Sequence, residues 1–212
     1  MVEHEYKKAI EKIKEESPSR NFVESVDIAI NLKDINLQDP SKRFQMEIHL
    51  PNPLDKEIKV CVLGEGSHLV EAESIASRVV NKDELDNLSR DAKLAKKLAQ
   101  DYDYFVATAS LMPIIGRSLG KVLGPRGKMP KPVPPTAPIE PLIKDYQSIV
   151  QIRLRQSPVI HARIGTVAMD NDAILENILA VVRNVENRLE KGANNVRSIY
   201  IKTTMGPAVK IK

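Results

Sequence analysis

Tryptophan is absent and the other aromatics are scarce, three Phe and five Tyr making up 4% of the 212 residues. Val, Ile and Leu must therefore supply most of any core, and too few rings remain for a platform on which the bases of a single strand could stack. The single cysteine, Cys61, excludes an intramolecular disulfide and fits a reducing compartment. It sits in the apolar run 58–63 with no histidine near it, as a small core residue does. His4, His49, His68 and His161 are scattered, and none stands at metal-ligand spacing from another histidine or from the cysteine. No apolar run approaches the ~20 residues that span a bilayer, and the N-terminus MVEHEYKKAIEKIKEE is too charged for a signal peptide. These absences point to a soluble cytoplasmic protein with no membrane contact, no metal and no cofactor.

Catalytic signatures are also missing. No G-x-S-x-G occurs, and no phosphate-binding G-x-x-x-x-G-K-[ST]. Gly64-Glu65-Gly66 follows an apolar run as a dinucleotide turn does, but the third glycine is lacking and an acid stands where phosphate would sit. A nucleotide-dependent enzyme is thus the alternative to a binding protein, and the sequence makes no demand for it.

What the chain does contain is 42% hydrophobic residues, enough for a core, and a net charge of +4 from 32 Lys and Arg against 28 Asp and Glu. A polyanionic partner suits that balance. Residues 3–16 carry Tyr6, Ile10 and Ile13 at helical spacing. Residues 22–32 alternate, with Val26, Ile28, Ile30 and Leu32 on one side, and residues 43–50 alternate again. Two alternating strands predict an antiparallel pair with one solvated face. Residues 58–64 are almost continuously apolar, as in a parallel strand buried on both faces. Helices are predicted over 69–76 and 82–100, the second capped by Asn81, with strands at 78–80 and 103–109. The stretch 111–138 is rich in glycine and proline. It carries Arg117, Lys121, Arg126, Lys128 and Lys131 without an acid, and reads as a short helix followed by a loop. Its composition suits either phosphate neutralisation or a solvated surface. A short helix over 139–145, strands at 150–155 and 159–164, a long helix capped at 170–172 and a last strand at 198–202 complete the pattern.

The ends of the chain are thus α+β and the middle is α/β. This predicts two domains: an outer split β-α-β domain from 1–58 and 156–212, and an inserted three-layer α/β domain over 59–155. Arg153, Arg155 and Arg163, on the strands flanking the second crossing, are candidate phosphate contacts. The tail RSIYIKTTMGPAVKIK ends in a strand, a turn Thr203-Thr204-Met205-Gly206-Pro207 and a short basic end. Packing alone does not explain such a turn; it suits close backbone approach to a ligand.

The tail segment SIYIKTTMGP, the loop LGPRGKMP over 123–130 and the strand at 22–32 together resemble the family of large-subunit ribosomal protein one, closest in texture to its archaeal members. The resemblance covers essentially the whole chain. It implies an outer RNA-binding domain built from both termini and an inserted Rossmann-like domain. It also implies binding to large-subunit ribosomal RNA of the mobile stalk, help in releasing deacylated tRNA from the exit site, and repression of translation through the protein's own mRNA. The expected state is ribosome-bound, and monomeric when free. At the matching positions it implies RNA contacts from Phe22, Ser25 and Asp27 on the first strand. His161 and Gly165 on the returning strand, and Ser198, Thr204, Met205 and Gly206 in the tail, complete the implied set. Many bacterial members carry Thr and Glu where this chain has Ser25 and Asp27, shorter side chains of the same chemistry.

Overall fold

A computed structural model describes residues 2–18, 20–54, 58–65, 72, 76–134, 140–146 and 148–211. The chain order is α1 (Val2–Glu15), β1 (Ser25–Leu32), β2 (Phe44–His49), β3 (Val60–Leu63), β4 (Arg78–Val80), α2 (Lys82–Arg90), α3 (Ala92–Asp101) and β5 (Tyr104–Thr108). There follow α4 (Met112–Ser118), α5 (Gly120–Arg126), β6 (Lys131–Val133), α6 (Glu140–Tyr146), β7 (Ile149–Leu154), β8 (Val159–Thr166), α7 (Asn171–Arg188), β9 (Val196–Thr203) and β10 (Ala208–Lys210). The chain divides into two compact units, 1–55 with 148–212, and 56–147. Among the described residues no helix is long and apolar enough to cross a membrane. The helix expected over 69–76 falls almost wholly outside the described residues.

The first unit is built on an antiparallel sheet in the order β10-β9-β1-β8. Both β8 and β9 run antiparallel to β1, so they are parallel to each other with β1 between them; β8-α7-β9 is a split β-α-β. Alternation fixes the faces. Val26, Ile28 and Ile30 are fully buried, and they meet Ile160, Ile164, Ile199 and Ile201 from the neighbouring strands. Ile10 and Ile13 of α1 and Ile174, Ile178 and Val181 of α7 cover this face. Each such side chain contributes about 1.5–3 kcal/mol on burial. Inside this core Asn177 is completely buried. Its amide donates to the carbonyls of Asn52 (3.0 Å) and Ile164 (2.9 Å) and accepts from the Asn52 N–H (3.0 Å), clamping the chain where it leaves the unit.

Two expectations fail here. β1 and β2 do not pair: β2 pairs with β7, 100 residues away, in a separate antiparallel ribbon with Phe44 opposite Leu154 and His49 opposite Ile149. Pairing of 149–154 with 44–49 ties those residues to the first unit, so the return crossing lies near 148 instead of 155/156. The period-2 pattern identified both strands, but it carries no information on partners distant in sequence.

The second unit holds a parallel sheet in the order β4-β3-β5-β6. All four residues of β3 are buried. Cys61 and Leu63 share one core with Phe105 of β5 and with Leu85, Leu98, Ile115 and Leu123 from the helices. On the other face Tyr104 stacks on Tyr146 of α6 at 4.6 Å. The helix expected over 82–100 is two helices. Asn81 caps the first through the Glu84 N–H (2.8 Å), and Asp91 breaks the run by capping the second through Lys93 N–H (2.8 Å).

The basic glycine- and proline-rich stretch carries the expected helix, and through residue 133 the part expected as a loop is regular structure as well. It forms α4, α5 and the edge strand β6, and Gly127 ends α5 at φ 65°, a left-handed conformation that suits glycine. Lys128 donates to the carbonyls of Ala99 (2.9 Å) and Tyr102 (2.6 Å) at the C-terminus of α3. Arg126 bonds the Val122 carbonyl (2.9 Å), and the Lys131 ammonium lies 5.1 Å from the Tyr146 ring centre. Arg117 and Lys121 remain exposed.

Candidate nucleic-acid interface

On the face of the four-stranded sheet opposite the helices, Asp27, Ala29, Asn31, Arg163, Tyr200 and Lys202 are partly exposed and His161 is exposed. Register places Asp27 between Arg163 and Lys202, Ala29 between His161 and Tyr200, and Asn31 beside Ser198. Lys210 on β10 lies opposite Tyr200. The result is a polar face on which Arg163 of β8 and Lys202 of β9 flank the Asp27 carboxylate, with Lys210 of β10 farther along. Burial pushes the Asp27 carboxyl above the ordinary range, against the opposing pull of Arg163, Lys202 and His161. Ser198 is buried, and its hydroxyl is satisfied by accepting from the Asn31 amide at 2.9 Å.

At one end of this face β9 turns into β10 through Thr204, Met205, Gly206 and Pro207. The turn is held from both sides. The Ser25 N–H donates to the Thr204 hydroxyl at 3.0 Å, and the Gly206 N–H donates to the Thr203 hydroxyl at 3.0 Å. The Met205 N–H donates to the Glu24 carboxylate at 3.0 Å. Glu24 is buried, accepts from the Ser17 hydroxyl and pairs with the Arg20 guanidinium at 3.3 Å. The Ser17 hydroxyl, with the Met205 N–H, the Thr203 hydroxyl and Arg20, holds the Glu24 carboxyl below the usual range against the opposing effect of burial. Ser17 also lies 3.1 Å from the Thr203 hydroxyl. On this frame Met205 stands 62% exposed, and Phe22 and Val23 stand 53% and 63% exposed. Large apolar side chains left in water on a fixed backbone mark a contact surface.

Of the residues expected at the site, Ser25, Asp27, His161, Arg163 and Ser198 lie on the sheet, and Thr204, Met205 and Gly206 form the turn beside it. Phe22 is not on the first strand, which begins at Ser25; it sits in the bend before it. Gly165 is buried, and a Cβ there would lie 3.1 Å from the Met169 sulfur and 3.2 Å from Cγ1 of Ile174, so close packing beneath α7 accounts for this glycine. Arg153 lies on the β2–β7 ribbon with Gln151 as a partner, and Arg155 is exposed in the bend after β7; neither belongs to the four-stranded sheet. The sequence reading named Thr203 in the turn but missed Glu24, Ser17, Tyr200 and Lys202. Tyr200 and Lys202 were available from parity, since they alternate with the buried Ile199 and Ile201. Glu24 left one signal, an acid wedged among Phe22, Val23 and the first strand. Among the described residues no group of His, Cys, Asp or Glu is placed to hold a metal ion.

The fold and this surface define a binding protein that presents the polar face of a split β-α-β sheet. Residues 8–207 match the family described as Ribosomal protein L1p/L10e family. The chain is 44% identical, over 99% of its length and 100% of the relative's, to large ribosomal subunit protein uL1 of Methanothermobacter thermautotrophicus. It is 45% identical to the proteins of the same name from Thermococcus kodakarensis (96% of this chain, 95% of the relative) and Thermoplasma acidophilum (99% and 96%). The chain therefore belongs to the Ribosomal protein L1p/L10e family. Its members are RNA-binding structural proteins of the ribosome, and the chain is not an enzyme; the nucleotide-dependent alternative is set aside.

Proposed function

We propose that this chain is a structural protein of the large ribosomal subunit whose first unit binds ribosomal RNA of the mobile stalk. On this reading it works ribosome-bound in the cytoplasm, assists release of deacylated tRNA from the exit site, and represses translation by binding a similar structure in its own mRNA. The second unit is an insertion that leaves the RNA site to residues from the two chain ends. The observation that carries the reading is the turn at Thr204–Gly206, anchored to Ser25 and Glu24 while Met205 projects beside a cationic sheet face.

The mechanism is recognition of a folded RNA by shape. Phosphates are drawn to Arg163, Lys202 and Lys210, which position the RNA without reading it. Ser25, Asp27, His161, Ser198 and Thr204 offer hydrogen-bonding groups to 2′-hydroxyls and base edges in a shallow groove. Phe22 and Met205 pack against sugars or bases. Arg153 and Arg155, off this face, serve at most as peripheral phosphate contacts. Filter binding with a transcript of the stalk segment of large-subunit RNA tests the reading. Tight binding that a duplex of equal length does not compete away is expected; equal affinity for both RNAs contradicts it.

A further inference from the structure

We infer that Glu24 is a positioning residue for RNA recognition, its carboxylate holding the Met205 turn and the Phe22–Val23 bend together as one preformed contact surface. The inference rests on the RNA-binding reading of this turn. Glu24 is 4% exposed. Burying a carboxylate is costly unless its oxygens are fully paired, and here the directly bonded partners Ser17, Arg20 and Met205 all come from segments outside regular structure. One oxygen takes the Met205 N–H at 3.0 Å and the Arg20 guanidinium at 3.3 Å, the other takes the Ser17 hydroxyl, and the Thr203 hydroxyl at the end of β9 acts on the same carboxylate. The Glu24 carbonyl accepts the Val167 N–H at 2.9 Å, anchoring the same residue to the end of β8. One residue thus ties the chain after α1, the end of β8 and the β9–β10 turn.

The three exposed apolar side chains around it, Phe22, Val23 and Met205, lie on the segments so tied. Without the carboxylate those segments would have to be ordered on binding, at a cost to affinity. An apolar residue could fill the space but could not accept from the Met205 N–H. Glu24 therefore acts through the backbone of Met205 and does not need to touch RNA.

The test uses the full chain, the stalk-segment transcript and a double-mutant cycle. Glu24→Ala is expected to weaken binding about ten-fold or more, the scale of a lost charge-assisted hydrogen bond. Met205→Ala should weaken binding in the wild-type background and much less in the Glu24→Ala background. Glu24→Gln keeps an acceptor for the Met205 N–H and should stay within about three-fold of wild type. Amide exchange of the free protein gives a readout independent of RNA: the Met205 N–H should lose protection in Glu24→Ala while Ile28 and Ile30 keep theirs. Should Glu24→Ala fail to fold, Ser17→Ala is expected to show a smaller loss with the same non-additivity. Additive losses, or a Met205 amide still protected in Glu24→Ala, overturn the inference while wild-type binding leaves the RNA reading intact. A wild-type chain that does not bind the transcript overturns both.

Discussion

Gly206 is a glycine because of Thr203. A Cβ at 206 would lie 2.2 Å from the Thr203 hydroxyl, closer than any side chain tolerates. That hydroxyl accepts the Gly206 N–H and neighbours Ser17, so Gly206→Ala disrupts the turn from inside. The variant is expected to lose at least ten-fold in RNA affinity by filter binding while losing only about 1 kcal/mol of stability. Asp27 makes a separate claim about pH. Its carboxyl titrates higher in the folded chain than in the unfolded one, so folding favours the protonated form. Stability from this group is present below the ordinary carboxylate pKa and is lost as pH rises through the raised value. Asp27→Asn should therefore raise Tm at pH 7, and the gain should vanish as pH falls below the ordinary carboxylate range; thermal scans across pH check both limbs. Odd composition singled out the Met205 turn, and parity set Asp27 on the face away from the core, its place at the site coming from the family resemblance. Glu24 was not legible, because its partners come from residues 17 and 205.

At the scale of elements, Asn177 fixes α7 to β8 and to the point where the chain leaves the first unit. Asn177→Ala would remove the partner of the Asn52 N–H, of the Asn52 carbonyl and of the buried Ile164 carbonyl. A loss of about 2–4 kcal/mol is expected, from several unmet groups at about 1–3 kcal/mol each, less what relaxation and water recover. Urea unfolding measures it. The elements themselves were largely written in the sequence. Alternation marked β1, β2, β7 and β8, an apolar run marked β3, and helical spacing marked α1 and α7. Pairings were not: β1 lies beside β8 and β9, and β2 beside β7, through contacts that span a hundred residues or more. The proline-rich segment concealed β6, since Pro132 sits mid-strand at a sheet edge where a missing N–H is tolerated. A single aspartate, Asp91, divided what periodicity presented as one helix.

At the scale of the molecule, the basic stretch falls in the second unit, where several of its cations have partners within that unit. Lys128 spends its ammonium on two carbonyls at the end of α3, and Arg126 bonds within its own helix. Lys128→Ala is expected to destabilise the second unit by about 1.5–3 kcal/mol, the range for hydrogen bonds to a charged group, and to leave the salt slope of RNA binding unchanged. A slope that falls by about one ion would place Lys128 on the RNA instead. Specificity on this account belongs to the unit made from both chain ends, where an uncharged turn is held rigid beside a cationic sheet. The measurement that tests this most directly is filter binding of the stalk-segment transcript to wild type and to Met205→Asp at two salt concentrations, with circular dichroism of both proteins. The expected result is loss of specific binding in a variant whose fold and melting are unchanged. Near-native affinity in Met205→Asp would contradict the account.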